Sequence, residues 1–337
     1  MIPGIEPIET VEMHTGGEPV RIIVSGYPEL RGATLLEKRR DARDRLDHLR
    51  RRLMHEPRGH FDMYGALPVP ADHPGAAFAV LFLHNEGYST MCGHATIALG
   101  RWAVESGRVA AVEPETRFVL QCPCGPVAVT VEVRDGRAGR VRFESVPAFA
   151  AALDRTVEVL GFGRVMIDIG YGGAFYAVLP AARLGLDMIR SPLRDLVDAA
   201  TAVTRATKSA VPLDHPDDAD LAFLYGTILT DGGDGRDRPS VNVCVFAERE
   251  VDRSPTGSGV TARLALAHAR GQAKAGDPHV FESLTGARFG GKIVSETRLG
   301  ARPAVTVEVS GEAHYTGTAR FVAEPDDPLE DGFLLRP

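Results

Sequence analysis

Two stretches of the chain read as helices without a polar face. "CGHATIALGRWAVESG" occupies 92–107 and "TGSGVTARLALAHARG" occupies 256–271. Each opens on a reactive or hydroxyl residue followed by glycine, runs through small apolar residues on nearly all sides, and ends at glycine. A helix apolar nearly all round has to be buried. The chain must therefore build two cores, each wrapped around one helix. Aligned without gaps, Cys92 falls on Thr256, Gly93 on Gly257, His94 on Ser258 and Ala98 on Ala262.

The pairing extends upstream. "HTGGEPVRIIV" from His14 and "GYGGAFYAVL" from Gly170 each set Gly-Gly before a strand, and the steps from Gly17 to Cys92 and from Gly173 to Thr256 are 75 and 83 positions. Matching doublets and helix starts in the same order indicate an internal duplication. The expectation is an α/β (α+β) chain of two pseudo-symmetric halves, each a curved sheet around a buried central helix. The first half covers 1–160 and carries Cys92; "HYTGTARFV" (314–322), in the segment 314–337, returns to complete it. The second covers 161–313 and carries Thr256, with the site in the cleft between them. Strands are expected at 20–26, 76–84, 126–133 and 304–311, where β-branched or alternating residues are bounded by Gly, Pro or Asp. A helix is expected over 33–56, with Ala42, Leu46, Leu49 and Leu53 on one face and Pro57 ending it. Its Arg-rich exterior interleaves acids at helical spacing, which reads as a salt-bridged face rather than a nucleic-acid stripe.

Two helix starts aimed at one cleft direct unpaired backbone N–H groups and two dipoles at the same ligand, a cradle for an anion such as a carboxylate. The same field is expected to favour a thiolate at Cys92. Cys92 is then a base or nucleophile; the alternative is a buried structural cysteine. His94 is either a ligand contact or a satisfied histidine of the first turn. Asp252, four residues before Thr256, reads as a turn aspartate before Pro255. His60 and Asp62, in "PRGHFDMYGA", either bind substrate or brace the cleft.

Several chemistries fit poorly. Cys92, His94, Cys122 and Cys124 lack the spacing of a structural zinc site, so no metal is expected. Cys122 and Cys124 read as strand-end thiols and Cys244 as strand core. No Walker loop or dinucleotide fingerprint is present, and no general base for a serine hydrolase is evident. A net charge of -7 argues against nucleic acid and anionic membranes as partners. No apolar run approaches a membrane span, and the first residues carry no leader pattern. Four cysteines in 337 residues make no disulfide framework, so a cytoplasmic location with free thiols is expected. A homodimer is compatible with all of this.

"MCGHAT" (91–96) and "DRSPTGSG" (252–259), with "HTGGEP", "RGHFDMYGA" and "YGGAFYA" in order, resemble the proline racemase / hydroxyproline epimerase superfamily over essentially the whole chain. The resemblance implies the diaminopimelate-epimerase-like fold. In the family's two-faced enzymes both helix starts carry cysteine, one thiolate taking the α-proton and the other thiol returning one to the opposite face. Here the second position is Thr256, whose hydroxyl is far too weak an acid or base at neutral pH. The Cys/Thr pattern is similar to the branch that dehydrates trans-3-hydroxy-L-proline. That implies a cofactor-independent hydro-lyase with Cys92 as base and a cyclic imine as product. A 4-hydroxyproline 2-epimerase, a proline racemase and a non-catalytic binder of cyclic amino acids are the alternatives. By the same resemblance Gly93, His94, Gly257 and Ser258 line the pocket, and His94 and Asp252 approach the ring nitrogen.

Overall fold

A computed structural model describes residues 6–247 and 249–335. The first part of the chain contains β1 (Ile8–Thr15), β2 (Glu18–Ser25), α1 (Leu35–Arg45), α2 (Asp47–Met54), β3 (Gly65–Val69), β4 (Ala76–Leu83), β5 (Tyr88–Ser89), α3 (Gly93–Glu105), β6 (Glu115–Cys122), β7 (Gly125–Arg134) and β8 (Arg137–Glu144). Then follow β9 (Phe149–Val159), β10 (Gly163–Tyr171), β11 (Phe175–Pro180), α4 (Leu193–Ala210), β12 (Leu224–Thr230), β13 (Ser240–Phe246), β14 (Glu250–Asp252), α5 (Gly257–Ala269), β15 (His279–Ser283), β16 (Arg288–Leu299), β17 (Arg302–Gly311) and β18 (Ala313–Phe321).

The strand pairings repeat. β1 and β2 are antiparallel, β2 runs parallel to β3, and β3 and β4 are antiparallel. β4 carries the short β5 and runs parallel to β6, from which β7 and β8 meander. β10 to β17 reproduce this step for step: β10–β11 antiparallel, β11–β12 parallel, β12–β13 antiparallel, β13 carrying the short β14 and parallel to β15, then β16 and β17. β8 and β17 join the repeats, β9 pairs with β10, and the C-terminal β18 returns to pair with β1.

Each repeat curls around its own helix. α3 packs on β1, β2, β7, β8 and β18, and α5 on β9, β10, β11 and β16; both touch β17. Every residue from Gly93 to Gly100 is buried, and every one from Gly257 to Ala262. Side chains such as Ile97, Leu99 and Leu264, each stabilising by roughly 1.5–3 kcal/mol when fully buried, leave these helices little freedom to move within their sheets.

The segment expected as one helix over 33–56 is two. α1 starts on a capping box between Thr34 and Glu37, ends at Leu46 with φ -120°, and α2 restarts at Asp47 and stops at Met54, before Pro57. Ala42, Leu46, Leu49 and Leu53 all remain buried across the break. The arginines outside pair with acids, among them Arg45 with Asp41 at 2.6 Å and Arg51 with Asp331 at 2.9 Å, while Arg50, itself buried, pairs with Asp47 at 2.6 Å. α4 has no counterpart among the expected helices. It buries Leu196, Ala199, Ala200, Val203 and Thr207, a period of three to four written mostly in small residues. Among the described residues no helix is long and apolar enough to cross a membrane.

Candidate active site

The starts of α3 and α5 meet. A Cβ placed on Gly93 would lie 2.5 Å from Gly257 Cα, and one on Gly257 would lie 2.7 Å from Gly93 Cα. Only glycine at both positions lets two backbones approach so closely. Beside this contact lies a nearly filled pocket with free room of only about 10 Å³, lined by Cys92, Gly93, His94, Asp252, Thr256, Gly257 and Ser258, with Tyr64, Met91, Tyr176, Tyr225, Cys244 and Phe246 closing the rest. Seven of the residues singled out in the sequence thus face one pocket, and His60 and Asp62 do not. Wider depressions open on the outer surface near Arg270 and near His314, but neither holds a thiol at a helix start.

Cys92 has extended backbone, φ -145°, and caps α3, its Sγ accepting from Ala95 N at 3.3 Å. Its Sγ lies 3.2 Å from His94 Nδ1, which in turn is 4.0 Å from Asp252 Oδ2. The Tyr64 ring stands edge-on to His94, and its hydroxyl approaches both Cys92 and Tyr225. Burial holds His94 down at about 4, against the opposing pull of Asp252 and of a bond to the Pro19 carbonyl. The ring is therefore neutral through the working range.

The expectation of a low-pKa thiol at Cys92 is corrected here. Burial pushes it well above its ordinary value, with the Asp252 and Glu18 carboxyls adding to the shift, although the Ala95 N–H and the Tyr64 hydroxyl pull the other way. With two acids close by and almost no water, one helix start does not outweigh desolvation. A positive ligand group placed near Asp252 would reverse part of this.

The opposite wall is built differently. Thr256 has φ 63°, a left-handed conformation in which a β-branched residue is strained, and its side chain does not cap α5. Among the described residues its buried Oγ1 has no nitrogen or oxygen partner and faces only the Cys244 thiol. Asp252 Oδ1 accepts from Ser254 N at 2.7 Å, so it is a turn aspartate as well as a pocket wall. Ser258 Oγ pairs with the Tyr176 hydroxyl at 2.7 Å. Asp62 braces rather than lines the pocket: it accepts from Val251 N at 2.9 Å and from Arg253 Nη2 at 2.7 Å. His60 Nδ1 accepts from Asp62 N at 3.2 Å. Cys122 and Cys124 lie away from this wall, at the end of β6 and in the following turn.

Tyr64, Tyr176, Tyr225, Phe246 and Cys244 were not legible as pocket residues. They come from three strands and the turn before β3, and only the meeting of the two repeats brings them together. Cys244 is strand core, as expected, but its thiol also lies next to Thr256 at the pocket wall.

Two repeats that aim the starts of their buried helices at one small polar pocket, with a thiol at one start, define the epimerase-like class of α/β proteins. The chain belongs to the proline racemase family, which it matches over residues 10–334. It is 58% identical over 340 residues to a human protein named trans-3-hydroxy-L-proline dehydratase, covering 99% of this chain and 96% of that one. It is 44% identical to a Burkholderia multivorans protein named 3-hydroxyproline 2-epimerase, covering 98% of each. A hydroxyproline epimerase from Agrobacterium vitis, solved with bound trans-4-hydroxy-L-proline, superimposes with a TM-score of 0.92 at 28% identity, over 98% of this chain and 96% of that one.

Proposed function

We propose that the protein is a hydro-lyase converting trans-3-hydroxy-L-proline to Δ1-pyrroline-2-carboxylate. The observation that carries this reading is the unequal pair of helix starts: a thiol on one wall of the pocket and a threonine on the other. In the substrate the carboxylate and the 3-hydroxyl are on opposite ring faces, so the C2 hydrogen and the hydroxyl share a face. One thiolate on that face serves both steps. Cys92 takes the C2 proton, and the resulting thiol gives it to the departing hydroxyl, which leaves as water. The C2–C3 double bond forms, and the enamine tautomerises to the cyclic imine. Cys92 ends as it began.

The site residues take roles that fit this scheme. The N–H groups of the first turns of α3 and α5, at Gly93, His94, Gly257 and Ser258, lack intrahelical partners by position and receive the carboxylate. Asp252, with neutral His94 beside it, receives the ring ammonium. That positive charge offsets the acids that disfavour a thiolate at Cys92. Charge that develops at C2 is then met by groups already in place, usually the largest catalytic contribution. The reaction asks for one base and an anion cradle, and no cofactor. The human relative's name agrees with this reaction. Purified protein incubated with trans-3-hydroxy-L-proline is expected to form the imine, measured by coupling to an imine reductase. Folded protein that forms none would overturn the reading.

One observation favours a second activity, inversion at C2. The Cys244 thiol lies at the Thr256 side of the pocket, kept protonated by burial, so a second acid is near the other face. In deuterated water, inversion leaves an intact α-deuterated ring and dehydration does not.

A further inference from the structure

The turn between β1 and β2, within the motif "HTGGEP", has no part in the chemistry above, yet it touches both helix starts. Thr15 Oγ1 donates to the His94 carbonyl at 2.9 Å, and the Pro19 carbonyl accepts from the His94 ring. On the other side, Glu18 Oε2 accepts from Arg253 N at 2.7 Å, and Thr285 Oγ1 donates to the Gly16 carbonyl at 3.0 Å. Arg253 sits between Asp252 and the Ser254–Thr256 segment that feeds α5. Glu18 is wholly buried, at 0% exposure, and among the described residues its Oε1 has no hydrogen-bond partner.

We propose that Glu18 is a positioning residue of the dehydration, whose hydrogen bond to Arg253 N holds Asp252 and the second helix start in register with the first. Its burial favours the protonated form of the carboxyl. Burial first, then Asp252, push its carboxyl well above the ordinary range; Glu250 adds to this, and Arg253 opposes it through its N–H and its guanidinium. The Cys92 and Cys244 thiols also feel Glu18, and neutral His94 lies against Pro19.

A cycle follows from the geometry. Cys92, Asp252 and Thr256 are at most 5% exposed, so a ring reaches them only when the two helix starts part. Parting breaks the Glu18–Arg253 bond and admits water, and Glu18 ionises. Closing returns one proton to it. The closed form holds the higher pKa, so closure is favoured at low pH and weakens as pH rises above the ordinary carboxylate range.

The test compares Glu18→Ala with Glu18→Gln, which keeps an oxygen for Arg253 N–H and carries no charge at any pH. Glu18→Ala is expected to lower kcat/KM about a hundredfold, the usual effect of slightly misplaced groups, and Glu18→Gln to recover it to within about tenfold of the parent. Because that assay rests on the dehydration reading, a second measurement does not use turnover. Pyrrole-2-carboxylate, a planar ring acid shaped like the carbanion, is titrated calorimetrically at pH 8 in buffers of different ionisation enthalpy. The parent protein should take up more protons than Glu18→Gln, by about one. Equal uptake by the two proteins overturns the proposal even if Glu18→Ala fails to fold. So does a Glu18→Gln protein as impaired in turnover as Glu18→Ala. Absent imine from the parent protein with normal analogue binding would instead count against the dehydration reading alone.

Discussion

The two central helices begin at the same pocket in opposite ways. Cys92 enters α3 from extended backbone and fastens itself to the helix, its sulfur accepting from Ala95 N. Thr256 enters α5 from φ 63° with no cap, and its conformation is imposed by the loop before it. Ser254 Oγ accepts from Thr256 N at 3.1 Å, and Asn242 Nδ2 donates to the Pro255 carbonyl at 3.2 Å. A left-handed non-glycine residue costs roughly 1–2 kcal/mol, which these bonds have to offset. The first start holds a reactive group in a relaxed geometry. The second holds an unreactive one in a strained geometry. A duplicated fold can thus keep its anion cradle on both sides while its proton chemistry stays on one.

The largest effect that tests this asymmetry is at Cys92. Cys92→Ser keeps a good N-cap, because a serine oxygen accepts the same N–H, but removes the base. Turnover is expected to fall by roughly 10³–10⁴-fold, with the melting temperature little changed. Steady-state rates and thermal unfolding of the same preparation check it. A variant that keeps a tenth of its turnover would mean that Cys92 is not the base. The next effect tests what the two starts share. Gly93→Ala and Gly257→Ala each push a Cβ into the opposite backbone at 2.5 and 2.7 Å. Each is expected to destabilise by about 1–3 kcal/mol in urea unfolding and to cost about a hundredfold in kcat/KM. Harm from one substitution alone would show that the close approach matters to only one repeat.

How far the sequence disclosed this site follows the same division. The duplication, both helix starts and Cys92 are legible from the repeating pattern itself; His94, Asp252 and Ser258 are placed at the pocket only by the family resemblance, since by local spacing Asp252 reads as a turn aspartate and His94 reads either way. The left-handed backbone of Thr256 was not, since β-branched residues avoid it and the cause lies in Asn242 and Ser254. The shifted thiol of Cys92 was misjudged for a related reason. The dipole is a local property, whereas the burial and the acids that outweigh it come from Glu18, Asp252 and the far sheet. Cys244 was read as strand core, and only the meeting of the sheets shows that this stretch of core is also a pocket wall. α4 has no counterpart among the sequence expectations although Leu196, Val197, Ala199, Ala200, Val203, Thr204 and Thr207 are buried on one face at helical spacing.

The pH dependence separates the two groups at the first helix start. Only thiolate at Cys92 is productive, and burial raises the thiol, so in Glu18→Gln kcat/KM should climb with pH until that thiol ionises, and in the parent less steeply, because closing also takes up a proton at Glu18. His94 is held at about 4, so it is neutral above that value and charges only as pH falls through it. No acid limb near 6.5 should therefore appear in a pH–rate profile between 5 and 9. A limb there would mean that His94 titrates in the working enzyme, and that proton transfer is shared between sulfur and imidazole.

The smallest effect is expected at Thr256, and it bears most directly on the asymmetry. Its hydroxyl is buried with only the Cys244 thiol beside it among the described residues, so removing it forfeits at most a weak contact to that sulfur. Thr256→Ala should keep dehydration within about tenfold, since no acid or base is lost. Thr256→Gly should match it and gain up to about 1 kcal/mol from relieved backbone strain, partly offset by glycine's extra unfolded-state entropy. The same replacement at Cys92 would cost both base and cap. Thr256→Cys completes the series by restoring a thiol at the second start, and it should add inversion of L-proline, read as deuterium at C2 with loss of optical purity. Should Thr256→Ala instead abolish dehydration while Thr256→Ser preserves it, the hydroxyl takes part in the reaction. The two starts would then differ in which step each serves rather than in whether each is reactive.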